Sequence, residues 1–196
     1  MSPLAEVNGI AIRRIKTPQD VSRWRPGFVG TYQTVFSGHP YYERFYPSEA
    51  EGVYQRLVGL DDSIVLVATR GNSQVVALAA AVPLAQAAPV ANHLTGLVPV
   101  AHSFYLAELG VLERFRGLGI GRALVRERLR LIDEDRYSHV VLRVSTSHNP
   151  SKAMYEAMGF EDMGVQQQVS AMRTDGKVRT DTRIFLAKVL SQVDLP

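Results

Sequence analysis

The chain predicts a single α/β domain, in which a mixed sheet carries helices on both faces. Three observations support this fold class: an ordinary composition, short apolar runs typical of buried strands, and one strongly amphipathic helix pattern. The apolar fraction of 46% and the charged fraction of 21% are those of a globular protein, and 196 residues correspond to one domain. Coiled coils, collagen-like repeats and disordered chains are therefore excluded, and we expect one domain over residues 1–196.

The first part of the chain predicts a strand followed by helices. Isoleucines recur over residues 10–15, which favours a strand. Thr17-Pro18 predicts a helix start, because threonine caps a helix and proline suits its first turn. We expect Pro26-Gly27 to interrupt this helix, with the pattern returning at 29–36. A further helix is expected over 48–60.

The middle of the chain is rich in strands. Residues 63–69 and 74–82 are almost continuously apolar, so we expect both strands to be buried on their two faces. The polar residues between them are typical of a hairpin connection. Residues 83–102 contain three prolines and no clear period, so we expect either a lid over a site or a passive surface loop.

The last part of the chain alternates strands and helices. The predicted strands cover 104–111, 139–145, 164–172 and 182–190, and the predicted helices cover 119–133 and 150–158. An Asp175-Gly176 pair reverses the chain between the final two strands. Counting the segments around Pro26 as one interrupted helix, the order is βααβββαβαββ, which indicates a mixed sheet.

Charge and missing residue types limit the function. Six arginines and one acid lie between Arg114 and Arg130, which suits a polyanionic ligand but also a solvated helix face or a nucleic-acid footprint. The chain has no cysteine, and its five histidines lack paired ligand spacing, so we expect no metal. The longest apolar run is too short for a bilayer and no secretory signal stands at the start, so we expect a cytoplasmic protein without a membrane partner.

The most specific segment is Arg116-Gly117-Leu118-Gly119-Ile120-Gly121, between a predicted strand and the amphipathic helix. Alternating glycines leave the N–H groups of a helix start bare, and the helix dipole makes this end attractive to anions. Arg116 and Arg122 add charged donors. No Lys-Ser or Lys-Thr follows, which excludes a P-loop, and Arg122 stands where a dinucleotide fingerprint needs glycine. A tight turn without a ligand is the alternative.

These glycines follow Glu108-Leu109-Gly110-Val111, and together they resemble the acetyl-CoA signature of the GNAT superfamily of N-acetyltransferases. The run from Asn149 to Phe160, with Tyr155 and a closing Gly-Phe, resembles the second signature of that family. The resemblance covers residues 10–190 and is weakest before residue 60 and through 83–102. It implies a mostly antiparallel GNAT-like sheet, an acceptor side in 1–62 and an acetyl-CoA-binding core in 104–160.

The resemblance implies that an acceptor amine attacks acetyl-CoA directly, in a ternary complex without an acyl-enzyme. It implies that backbone near Val111 pairs with the pantetheine arm and that the glycine loop holds the pyrophosphate, so the strands around Val111 and Leu142 should splay apart. Asn149 is expected first as a helix N-cap and second as a cofactor contact. The residues expected to bind acetyl-CoA are Leu109, Gly110, Val111, Arg116, Gly117, Leu118, Gly119, Ile120, Gly121, Arg122, Asn149 and Lys152.

Two residues are candidates for proton transfer. Glu108 occupies the position of a general base in related enzymes, and apolar neighbours should raise its pKa; the alternative is a carboxylate that only attracts a cation. Tyr155 is expected as general acid toward the leaving thiolate, because it lies off the stripe we expect to be buried. The alternative is a surface tyrosine. That stripe consists of Ala153, Met154, Ala157 and Met158.

Acceptor recognition is the least defined part of the prediction. The aromatic candidates for acceptor binding are Phe36, Tyr41, Tyr42 and Tyr105, although packing of the N-terminal half explains most such residues equally simply. We expect an N-acetyltransferase acting on a primary amine of a small molecule or peptide. The alternatives are a protein or N-terminal acetyltransferase, with an open groove beside Glu108, and a noncatalytic acyl-CoA sensor. We expect no nucleic-acid partner, and exposed edge strands make a homodimer reasonable.

Overall fold

The computed structural model describes residues 2–147 and 150–190. Its centre is an eight-stranded sheet in the order β1-β2-β3-β4-β5-β6-β8-β7. The strands are Ala5–Val7, Ile10–Ile15, Ile64–Arg70, Gln74–Pro83, Ser103–Val111, His139–Ser145, Glu161–Met172 and Val178–Val189. The helices α1 to α5 are Pro18–Ser37, Pro47–Gly59, Ala88–Leu94, Ile120–Leu131 and Pro150–Glu156. Neighbouring strands are antiparallel except for β5 and β6, which confirms the predicted mixed, mostly antiparallel fold.

Two apolar layers hold the helices against opposite faces of the sheet. One layer joins α4 and α5 to the sheet through residues such as Leu124 and Tyr155. The other joins α1, α2 and α3 to the opposite face through residues such as Phe28, Leu57 and Leu94. Both central strands, β3 and β4, are buried on each face, as their continuous apolar sequences predict.

Helix α1 runs unbroken from Pro18 to Ser37, so the predicted interruption at Pro26-Gly27 is wrong. An internal proline costs about 3 kcal/mol through a lost hydrogen bond and a ring clash. Aromatic side chains at helical spacing offset that cost, because each buried ring contributes about 1.5–3 kcal/mol. These rings belong to Trp24, Phe28, Tyr32 and Phe36. Gly27 brings the helix close to β4, since a Cβ there would lie 2.5 Å from Val75 Cγ2.

Two further segments differ from the prediction. Strand β1 was not predicted, although Asn8-Gly9, which joins it to β2, is a typical hairpin turn. Within 83–102 the structure places helix α3, whose Val90, Ala91 and Leu94 are buried against the sheet. This segment is therefore a packed part of the domain. Among the described residues, no helix combines the length and hydropathy needed to cross a bilayer.

Candidate active site

The sheet opens between β5 and β6. These parallel strands pair only from Ser103 to Tyr105 on β5 and from His139 to Val141 on β6. Beyond these pairs, β5 continues to Val111 and β6 to Ser145 without further pairing to each other. This confirms the predicted splay near Val111 and Leu142. The result is a cleft whose floor includes unpaired backbone.

The β5 side of the cleft offers backbone donors. The N–H of Leu112 donates to Val76 O of β4 at 3.0 Å. Successive N–H groups of a strand point to opposite edges, so those of Leu109 and Val111 point away from β4, toward the cleft. The Val111 carbonyl on that edge accepts a 3.0 Å hydrogen bond from Arg116 Nε. Leu109 and Val111 are therefore placed to pair with an extended ligand, as an added strand would.

The glycine loop lies at the end of this edge. Gly117 and Gly119 both have φ of +77°, a conformation that side chains disfavour. Gly119 is the N-cap of α4, and no side chain caps this helix. The first N–H groups of a helix have no intrahelical acceptor, so the start of α4 presents bare donors and the positive end of its dipole.

A cavity of about 360 Å³ joins the loop to the strand edge. Its wall combines backbone donors with apolar side chains, which suits a long ligand with an anionic end. The lining residues are Val35, His39, Pro40, Tyr41, Leu109, Gly110, Val111, Phe115, Arg116, Gly117, Gly119, Ile120, Gly121, Arg122, Pro150, Ser151 and Met154. We call this space the donor cavity.

A second cavity, of about 410 Å³, lies on the other side of Glu108. A smaller space of about 80 Å³ connects the two, because it shares Tyr41 and Leu109 with the donor cavity and Glu108 with the larger one. We call the larger space the acceptor cavity. Its walls are the aromatic residues at the end of α1 and side chains of β6, β7 and β8.

Glu108 lies between the two cavities. Its carboxylate forms no hydrogen bond or ion pair with another residue of the described chain. Burial, with a smaller contribution from Glu43, raises the pKa of Glu108 from 4.5 to about 7 against the opposing charges of Arg56, Arg143 and Arg183. A carboxylate with this pKa accepts a proton near neutral pH and is thus suited to general-base chemistry.

Tyr155 also lines the small space that connects the donor cavity to the acceptor cavity. It is the buried residue of α5, whereas Ala153 and Ala157 are exposed, so the predicted buried stripe is wrong at its alanines and holds in part at Met154 and Met158, which pack against the core. The centroid of the Tyr155 ring lies 5.5 Å from that of Phe160. Burial of Tyr155 is favoured over burial of an alanine because an aromatic ring removes far more apolar area from water. Burial raises the pKa of the phenol, and the guanidinium of Arg128 opposes that rise. Tyr155 is therefore a protonated phenol at neutral pH.

Arg128 connects the two candidate catalytic residues and was not predicted. It is fully buried on α4, and its Nη1 donates to Ala80 O and Glu108 O, each at 2.9 Å. Ala80 and Glu108 are opposite each other where the β4–β5 register shifts. Arg128 thus satisfies two carbonyls at an irregular point of the ladder. Its spacing of four from Leu124 and eight from Ile120 places it on the apolar stripe of the helix, which is the sequence signal for it.

The profile of the acetyltransferase (GNAT) family matches residues 30–160, about two thirds of the chain. This chain belongs to the GNAT acetyltransferase family. The Mus musculus protein named probable N-acetyltransferase family 8 member 5 is 37% identical over 68 residues, which cover 35% of this chain and 30% of that protein. The aligned part therefore spans less than a third of this curated relative.

Two solved structures support the same fold. Ribosomal-protein-S18-alanine N-acetyltransferase from Escherichia coli has a TM-score of 0.64 and 17% identity, over 95% of this chain and 99% of that one. Arabidopsis thaliana NAA60 in complex with acetyl-CoA has a TM-score of 0.64 and 18% identity, over 92% of this chain and 98% of that one. At these identities the likeness concerns the fold alone.

Nine of the twelve predicted cofactor residues of this GNAT chain line the donor cavity, and two described residues, Leu118 and Lys152, do not. Leu118 is 40% exposed, and its carbonyl accepts from Asn8 at 3.0 Å. Lys152 pairs with Glu156 at 2.8 Å. Asn149 lies outside the described residues. Arg116 does line the cavity, with Nη1 donating to His39 O at 2.8 Å in addition to its bond with Val111.

Two of the four predicted acceptor residues lie at the acceptor cavity. Phe36 and Tyr41 line it. Tyr42 is 49% exposed and lines none of the cavities described above, and Tyr105 is buried in the core beside Arg143. The structure therefore does not place Tyr42 and Tyr105 where they would contact an acceptor. Tyr105 instead packs in the apolar layer between the sheet and α1. It lies in the part of β5 that still pairs with β6, where the sheet is closed.

Charged residues also line the acceptor cavity, and among them Arg143 and Arg183 were not predicted as site residues. Arg143 lies on β6, Arg183 on β8, and Glu43 follows α1. Glu43 accepts from Arg183 Nη2 at 3.0 Å and pairs with Arg173 Nη1 at 3.4 Å. The signal for Arg143 was a single charge inside the apolar run of β6. Glu43 is the one acid within the aromatic segment 41–46, but nothing local identifies Arg183, because residues far apart in sequence bring it to the cavity.

Proposed function

We propose that this protein is an N-acetyltransferase that uses acetyl-CoA and acetylates a primary amine of a small molecule. The observation that carries the proposal is Glu108, an unpaired carboxylate with a pKa of about 7 at the junction of two connected cavities. One cavity suits a long anionic donor and the other suits an acceptor.

The donor cavity fits acetyl-CoA by the chemistry of its groups. The bare N–H groups of residues 117–122 would hold the diphosphate, with Arg122 adding charge at the cavity wall. Leu109 and Val111 would pair through their backbone with the amide groups of the pantetheine arm. When bound, acetyl-CoA supplies an activated thioester carbonyl. The family membership and the acetyl-CoA complex of NAA60 support this assignment.

Glu108 would remove the proton of the acceptor ammonium, whose ordinary pKa is near that of lysine, about 10. The raised pKa of the Glu108 carboxylate lies closer to the pKa of the acceptor ammonium than an ordinary value would. Proton transfer from the ammonium to Glu108 is therefore less unfavourable. The phenol of Tyr155 stays protonated through burial and would donate to the departing sulfur. The Leu109 N–H is available to the carbonyl oxygen, where negative charge develops.

The surroundings of the acceptor cavity support a small molecule over a polypeptide. The segment 41–44 is bound to the tip of the β7–β8 hairpin: Arg44 N donates to Met172 O at 2.9 Å and Thr174 N donates to Tyr42 O at 2.8 Å. Glu43 and Arg173 form a β-bridge between the same segments. These bonds close one side of the cavity, where an open groove would be needed for an extended chain.

The test is release of free thiol from acetyl-CoA with a panel of small amines and a panel of peptides. We expect turnover with small amines, and about 100-fold lower kcat in Glu108→Gln or Tyr155→Phe, the usual contribution of one acid or base. Exclusive turnover of peptides would favour a protein or N-terminal acetyltransferase. Calorimetric binding of acetyl-CoA without turnover of any amine would identify a sensor. A cytoplasmic location and a homodimer stay predictions.

A further inference from the structure

The acceptor cavity has two chemically different walls. One wall is aromatic and aliphatic, formed by Tyr32, Phe36, Phe45 and Val53. The other wall carries guanidinium groups from β6 and β8, near Glu108. A ligand that fills this space thus meets apolar surface on one side and positive charge on the other.

Arg143 and Arg44 line the acceptor cavity without an ion pair to a carboxylate of the described residues, and Arg44 lies over the ring of Tyr46. The Nη1 atom of Arg143 donates to Gln167 Oε1 at 2.7 Å. The Nε atom of Arg143 is buried and has no hydrogen-bond acceptor among the described residues. A half-buried guanidinium beside a cavity, without a carboxylate at ion-pair distance, is placed to bind an anionic group of a ligand.

Arg183 lies next to Arg143. The β6–β8 register pairs Ser145 with Arg183 and Arg143 with Phe185, so the two arginines are diagonal neighbours on one face. Arg183 shares Glu43 with Arg173, so one buried carboxylate serves two guanidiniums. Asp181, at 3.5 Å from Arg183 Nε, adds a weaker pair. When Glu108 is protonated, three guanidiniums, those of Arg143, Arg173 and Arg183, therefore face two carboxylates, those of Glu43 and Asp181.

We propose that the acceptor is an apolar amino acid with a free carboxylate, which Arg143 and Arg183 bind while the amine lies at Glu108. This inference rests on the proposed function and specifies its substrate class. The aromatic wall receives the side chain, and the carboxylate supplies the charge that Arg143 lacks. A polyamine would place a second cation against the arginines, and a peptide N-terminus would offer them a neutral amide.

Matched acceptors test this directly: phenylalanine, phenylalaninamide and 2-phenylethylamine, with the corresponding leucine and methionine series. The three members of a series share a side chain and a primary amine, and the carboxylate is free, amidated or absent. We expect the wild-type protein to use at least one amino acid with kcat/KM about 10- to 100-fold above its amide, the effect of a hydrogen bond to a charged group. Arg143→Gln should abolish this preference, so that the variant uses the amino acid and its amide with nearly equal kcat/KM.

Two controls separate recognition from folding. Arg143→Lys keeps the charge and should retain part of the preference, and Arg179→Gln removes an exposed arginine elsewhere on β8 and should retain all of it. Equal use of amino acid and amide by the wild type would overturn the inference. So would a preference that survives Arg143→Gln, or no transfer to any amino acid although acetyl-CoA binds. Failure to bind acetyl-CoA would instead overturn the proposed function.

Discussion

Replacing Glu108 by glutamine should make the protein more stable at alkaline pH and less active. The folded protein holds the pKa of Glu108 at about 7, against an ordinary value of 4.5. The folded state thus binds a proton more tightly than the unfolded chain does, and ionisation of Glu108 lowers the free energy of unfolding. The penalty is absent below pH 4.5, grows as pH rises to about 7 and is complete above it.

The difference between the two pKa values corresponds to at most about 3 kcal/mol, at about 1.4 kcal/mol for each tenfold change in proton affinity. Glutamine keeps the shape of the side chain and has no charge. The free energy of unfolding of Glu108→Gln should therefore exceed that of the wild type by up to about 3 kcal/mol at pH 8.5, and by much less at pH 5.

Urea unfolding without ligand measures this, with both proteins at pH 5 and pH 8.5. Glu134→Gln, which removes an exposed carboxylate, is the control and should show no pH-dependent gain. In the same pH series, kcat/KM of the wild type should rise with pH through about 7. A stability difference between Glu108→Gln and wild type that does not change with pH would refute the reasoning.

Three further predictions concern the donor cavity and the residues around Glu108. Gly119→Glu should abolish acetyl-CoA binding in calorimetry, because it places a carboxylate at the bare start of α4, while the circular dichroism spectrum stays unchanged. Retained affinity would contradict the assignment of the donor cavity to acetyl-CoA. Tyr155→Phe should lower kcat about 100-fold with little change in KM, as measured by thiol release, since it removes only a proton donor; an unchanged kcat would exclude Tyr155 as the acid. Arg128→Met should lower the free energy of unfolding by about 1–3 kcal/mol in urea, because two buried carbonyls lose their donor. A fully stable Arg128→Met protein would show that these carbonyls find other donors.

The parts of the fold that sequence could predict depend on local signals. The apolar runs of β3 and β4 and the glycines before α4 each determine their own structure, because burial and backbone freedom act within a few residues. The sheet class and the splay beside Val111 follow from them and from the family resemblance. Glu108 was also identified in this way, and the structure places it at the junction of the cavities.

The features that sequence did not predict depend on packing between distant segments. Helix α1 continues through Pro26 because its aromatic face is buried on the sheet, which local propensity does not include. Tyr155 is buried on the side of α5 that meets the cleft, together with part of Met154, whereas Ala153, which was expected to be buried, is exposed. The meeting of Arg143 and Arg183 depends on the β6–β8 register, which no single segment contains.

The crystal structure of this protein with coenzyme A tests the central claim most directly. The account predicts the diphosphate within hydrogen-bond distance of the N–H groups of residues 117–122, the pantetheine along Leu109 and Val111, and the thiol between Glu108 and Tyr155. Coenzyme A bound elsewhere, or a donor cavity filled by the protein's own side chains in that crystal, would contradict it.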